Sequence, residues 1–110
     1  MVDFQNTDNV TILTRKDRAK SIINKEDNQI IFLPPCDNGV IIEILMLEAN
    51  DITLDTNSNT SLFLRPNYPR KLTIKGGDDT LGKNLVIQSY EGFWRIVSTT
   101  LDESLLTFEE

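Results

Sequence analysis

Val40-Ile41-Ile42-Glu43-Ile44-Leu45-Met46-Leu47 is apolar at every position except Glu43. As a strand, the run sends Val40, Ile42, Ile44 and Met46 to one face. It sends Ile41, Glu43, Leu45 and Leu47 to the other. Both faces call for burial, whereas a small antiparallel sheet normally buries one face and wets the other. A second cover is therefore needed, from the rest of this chain or from another copy of it. Glu43 interrupts only one face. The uninterrupted face of Ile42, Ile44 and Met46 is expected to be the intramolecular core. Ile41, Glu43, Leu45 and Leu47 are expected to form an oligomer interface, with the one charge near an edge or a polar partner.

Working outward, the chain is rich in Ile, Val and Thr, and Ala occurs only at positions 19 and 49. β-Branched side chains suit pleated sheets and lose rotamer freedom in helices. Upstream, strands are expected over 10–14 (Val10, Ile12 and Thr14 on one face), 21–24 and 29–33. Pro34-Pro35 stops the last of these, and Asp37-Asn38-Gly39 supplies a turn able to take positive φ. Residues 15–20 read as a charged turn in which Asp17 can cap a single helical turn. Downstream, strands are expected over 52–55, 61–65 and 71–75, the last with Leu72 and Ile74 on a buried face. Residues 84–89 and 93–99 read as a hairpin around Glu91-Gly92. The tail from Leu101 is ambiguous between a strand and a loose end. About nine short strands with turn signals every 8–12 positions indicate an all-β domain. The expected fold is a small antiparallel β-sandwich or jelly-roll-like domain, without a repeat of fixed period.

The 110 residues suit one domain, 1–110, with its core at about 10–99. With 39% hydrophobic and 25% charged residues, the chain has an ordinary globular composition. No run approaches the roughly 18 apolar residues of a membrane helix, so no membrane insertion is expected. The opening Met1-Val2-Asp3-Phe4 lacks the basic and apolar regions of a signal peptide. The net charge is −6 and Lys and Arg cluster only at 15–20 and 70–71, so no nucleic-acid partner is expected.

The chain has one cysteine, Cys36, and no histidine. That removes Ser-His-Asp and Cys-His schemes, an internal disulfide and His/Cys zinc sets. Asp51 with Asp55, or Asp78 with Asp79, are the carboxylate pairs a glycosidase would need, but Asp beside Gly76-Gly77 reads as turn chemistry. Asp55-Thr56-Asn57-Ser58-Asn59 has oxygen ligands at alternate positions, as a calcium loop does. Thr60 and Pro66 stand where such a loop needs Gly and Glu. No cofactor and no catalytic residue are expected; a looser calcium site around Asp55 stays open. Among the aromatics, Trp94 is expected on the core face. Tyr68, between Pro66 and Pro69, and Tyr90 are the candidate ligand contacts.

The order of these pieces carries a resemblance. Val10-Thr11-Ile12-Leu13-Thr14 is followed by Asp17 and Lys20, then by Gln29-Ile30-Ile31-Phe32-Leu33-Pro34-Pro35 and Gly39. Ile52-Thr53-Leu54 comes next, then Leu72-Thr73-Ile74-Lys75-Gly76-Gly77, and finally Gly92-Phe93-Trp94-Arg95-Ile96-Val97-Ser98-Thr99. Over residues 10–99 the chain resembles a module of bacteriophage tail fibres, tailspikes and related receptor-binding proteins. It departs from that pattern at Ala19, where such modules commonly carry Gly. The resemblance implies a β-structured, homotrimeric virion structural protein of the tail, made in the host cytoplasm, that acts in host attachment. It implies other virion tail proteins as partners, a host surface glycan as a candidate ligand, no cofactor and no enzymatic activity. The alternative reading is a monomeric, lectin-like carbohydrate-binding sandwich; a small glycosidase ranks last.

Overall fold

The computed structural model describes residues 10–14, 16–37, 39–58 and 62–110. The strands are β1 (Val10–Ile12), β2 (Ala19–Ile23), β3 (Gln29–Phe32), β4 (Ile41–Met46) and β5 (Ile52–Asp55). They continue with β6 (Lys71–Ile74), β7 (Lys83–Tyr90), β8 (Phe93–Thr99) and β9 (Leu106–Glu109). They form two sheets, one in the order β1-β3-β5-β6-β9 and one in the order β2-β4-β7-β8. The all-β, two-sheet expectation therefore stands. None of the helices among the described residues is long and apolar enough to cross a membrane.

The expected antiparallel pairing holds only downstream. β4·β7, β5·β6, β6·β9 and β7·β8 are antiparallel, but β1·β3, β2·β4 and β3·β5 are parallel. The first five strands alternate between the sheets, so each returns beside the strand two before it. Parallel neighbours need a long crossover, and here the crossover is a strand of the opposite sheet. Val10 pairs with Ile30, Ala19 with Ile41 and Gln29 with Ile52, so one turn of this β-coil takes 20, 22 and 23 residues respectively.

The corners of the coil are built from side chains. Asn24 is fully buried; its amide NH2 donates to the carbonyls of Glu48 (2.6 Å) and Asn50 (2.9 Å). Its side-chain oxygen accepts from the N–H groups of Leu47 (2.8 Å) and Glu48 (3.0 Å). The Asn50 amide returns a bond to the Asn24 carbonyl (3.2 Å). Two successive turns of the coil are thus joined by an asparagine pair in which the buried Asn24 amide has both its nitrogen and its oxygen partnered, as buried amides require. Asp17 does not cap a helical turn; its carboxylate reaches back to the Thr14 N–H (2.7 Å) and closes the corner upstream.

Between the sheets lies the core. Ile31, Ile52, Leu54, Leu72 and Ile74 face Ile42, Ile44, Met46, Leu85, Ile87 and Trp94, all fully buried. The assignment of Ile42, Ile44 and Met46 to the core holds, because Val40 and these three share the inward phase of β4. In the first strand the face that carries Ile12 turns outward: Leu13 is buried and Ile12 is 70% exposed. Pairing of Thr11 with the buried Ile31 turns Ile12 outward, beside Phe32. The strand expected over 61–65 shrinks, among residues 62–65, to a single bridge between Phe63 and Trp94; position 61 lies outside the described residues. The tail instead supplies β9, whose Leu106 and Phe108 pack against the core.

Downstream, the hairpin follows expectation. Glu91 (φ +50°) and Gly92 (φ +87°) both take the left-handed region that a two-residue β-hairpin turn demands. Val86 pairs with Ser98 and Ile87 with Ile96, so Val97 bulges out and is left partly exposed. Gly76 meets a different demand: a Cβ there would collide with the Asn50 backbone.

Candidate functional site: the outer face of the four-stranded sheet

The outward phase of β4 places Ile41, Glu43 and Leu45 in the middle of one surface. Ala19, Ser21 and Ile23 of β2 lie on one side, and Asn84, Val86 and Gln88 of β7 on the other. Ile41 is 42% exposed; Ile23 and the bulged Val97 are similarly open, and Leu45 and Val86 are half-buried. Ala19, Lys20, Ser21, Ile41, Glu43 and Val86 line a shallow depression of about 430 Å³. Leu47, 46% exposed, lies one residue beyond β4, in the corner held by Asn24. The expected interface residues are thus brought together, with Leu47 displaced to their edge.

Glu43 is the one charge at the centre. Its carboxylate accepts from the Ser21 hydroxyl (2.6 Å) and from the Asn84 amide (2.9 Å). These bonds favour the charged form, and they hold its carboxyl below the ordinary glutamate value, Ser21 contributing most. Ser21 and Asn84 are thus the polar partners that the sequence expectation left unspecified. Each sits directly across from the β4 phase: Ser21 opposite Glu43, and Asn84 opposite Leu45.

The aromatic candidates meet at one end of the same face. Tyr90 pairs with Phe93 across the hairpin, and Tyr68 lies over Phe93 with ring centroids 5.4 Å apart. Arg95 lies over the Tyr90 ring at 5.5 Å. Tyr68 and Tyr90 remain 51% and 54% exposed. Phe93 thereby links two residues far apart in sequence into one aromatic strip. Trp94, next to it, points inward and is fully buried, as expected.

The weaker chemical candidates disperse. Asp78 and Asp79 are exposed in a 3₁₀ turn closed by the Thr80 hydroxyl on Gly77. Asp51 accepts from the Gly76 N–H (2.8 Å) at one end of β5. Asp55, at the other end, accepts from the Asn57 N–H (2.7 Å) and lies 4.0 Å from Arg70. Among the described residues no three His, Cys, Asp or Glu side chains group as metal ligands; Asn59 and Thr60 of the calcium-like stretch lie outside them. Burial pushes the Cys36 thiol up to about 11, so it stays protonated at neutral pH and is a poor nucleophile.

A second concavity, of about 520 Å³, lies by Ile12, Phe32, Pro35, Cys36 and Asn57. No family model, no curated protein and no solved structure matches this chain.

Proposed function

We propose that this chain is a non-enzymatic assembly and attachment module that self-associates, as a homotrimer, through the outer face of its four-stranded sheet. The setting we propose is a bacteriophage tail fibre or receptor-binding protein. One observation carries the reading: Ile23, Ile41, Leu45 and Val86 lie around a glutamate whose charge is already hydrogen-bonded within the sheet. A charge without partners would make burial of this face costly. Glu43 has two partners, so a second copy can cover it without stranding it. The three-fold number and the virion setting rest on the resemblance in residues 10–99.

Light scattering on the purified chain tests this and is expected to give about three protomers. Ile41→Glu should yield monomers that keep the β signal in circular dichroism. Ile42→Glu, on the buried face, should unfold the domain instead. Unaltered wild-type monomer at micromolar concentration overturns the interface. A monomeric carbohydrate-binding module is the second reading, and the exposed pair Tyr68 and Tyr90 favours it. Oligomeric mass separates the two.

A further inference from the structure

We propose that the turn carrying Tyr68 is a binding site for one neutral pyranose ring of a glycan. The inference rests on the attachment reading above and gives that attachment a chemical class of ligand. Leu62, Asn67, Tyr68, Arg70 and Glu110 line an open cleft of about 210 Å³. Drug-sized sites run to about 300–1,000 Å³, so this cleft takes a single ring and leaves the rest of a longer chain in solvent.

The backbone holds the tyrosine in an uncommon way. Asn67 (φ +67°) and Tyr68 (φ +45°) are both left-handed, between Pro66 and Pro69. Positive φ is a genuine outlier for a bulky residue such as tyrosine, and such strain persists only where its surroundings enforce it. Here the surroundings are Pro66, whose fixed φ suits the turn before Asn67, the Tyr68 N–H bond to the Arg65 carbonyl (2.9 Å) and the Phe93 ring beneath. The outcome is a phenol ring fixed on one side by Phe93 and half open on the other.

Charge decides the ligand class. Arg70 supplies a guanidinium whose buried Nε has no hydrogen-bond partner among the described residues. Glu110 lies in the same cleft, and the Asp55 carboxylate is 4.0 Å from that Nε. Two carboxylates against one guanidinium leave no excess positive charge for an anion. A neutral sugar instead offers C–H groups to the aromatic face, and hydroxyls that both donate and accept toward Arg70, Glu110 and Asn67.

The test is a heteronuclear NMR titration of the full chain with methyl β-galactopyranoside, methyl α-glucopyranoside and methyl N-acetyl-β-glucosaminide, beside N-acetylneuraminic acid. At least one neutral glycoside should give saturable shifts at Asn67, Tyr68 and Arg70, with a Kd of about 1 mM. Asparagine tolerates positive φ, so Tyr68→Asn should keep the turn and the Trp94 indole signal. It should lower affinity at least about tenfold, whereas Tyr68→Trp should retain binding. No saturable shift with any neutral glycoside up to about 50 mM overturns the proposal. So does binding of N-acetylneuraminic acid alone, or affinity unchanged in Tyr68→Asn. Mass measured on the same samples separates the readings: a monomer that binds sugar sinks the trimer only, and a trimer that binds none sinks this site only.

Discussion

The coil of β1–β5 and the closing strands β6–β9 solve the same problem by different means. In the coil, neighbours are parallel and every corner carries the chain across to the other sheet. No two-residue turn does that, so side chains shape the corners: Asn24 with Asn50, and Asp17 on Thr14. In the closing strands, β7 and β8 join through a two-residue turn of left-handed backbone, at Glu91 and Gly92. Packing anchors them, with Trp94 buried between the sheets. Specificity in one half therefore resides in polar corners, and in the other in turn dihedrals and a large apolar side chain.

Four substitutions sharpen this contrast. Trp94→Ala should have the largest effect, about 3–5 kcal/mol in denaturant unfolding, because it removes a large, fully buried side chain from the hairpin's core face. Asn24→Ala should cost about 2–3 kcal/mol, since it strands partly buried N–H and C=O groups of residues 47–50. Amide exchange should then accelerate at Leu47 and Glu48 while the β7–β8 amides stay protected. If both regions loosen equally, the corners are not separable from the hairpin. Gly92→Ala should cost about 1–2 kcal/mol, read as a lower melting temperature, because alanine resists the left-handed region.

Smallest is Glu43→Gln, whose effect depends on pH. Glu43's folded pKa is depressed by Ser21 and Asn84, so its contribution is present above the ordinary glutamate pKa. It is lost as pH falls through the lowered folded value. Melting curves of wild type and Glu43→Gln should therefore converge on acidification and separate near neutrality. A constant gap across pH would detach Glu43 from the acid sensitivity.

The contrast also explains what the sequence disclosed. Alternation along β4, β5 and β6, the Glu91-Gly92 turn and the inward Trp94 are local signals, each contained in a few adjacent residues. Parallel pairing is not local. Val10, Ile30 and the β5 strand read alike whether their neighbours run parallel or antiparallel, and turn lengths of 20, 22 and 23 residues blur any period. Which face of the first strand turns inward is likewise set at a distance: Leu13, not Ile12, keeps phase with Ile31. Residues 62–65 lost their strand to a bend before Pro66, and 106–109 gained one because β6 offered an unpaired edge. At the site, the outward set on β4 was legible from Glu43 alone. Its partners Ser21 and Asn84, and the link from Tyr68 to Tyr90 through Phe93, exist only once distant strands are side by side.

Among the described residues, only β5·β6 and β7·β8 join strands adjacent in sequence; every other ladder closes over an intervening strand of the opposite sheet or a longer detour. Such non-local pairing must lose loop entropy before contacts compensate, and domains of this kind fold in milliseconds to seconds. The β7–β8 hairpin, with its preformed turn, is the one piece that can form in about 1–10 μs. Pairing of the parallel coil, and not closure of this hairpin, is thus expected to set the folding rate.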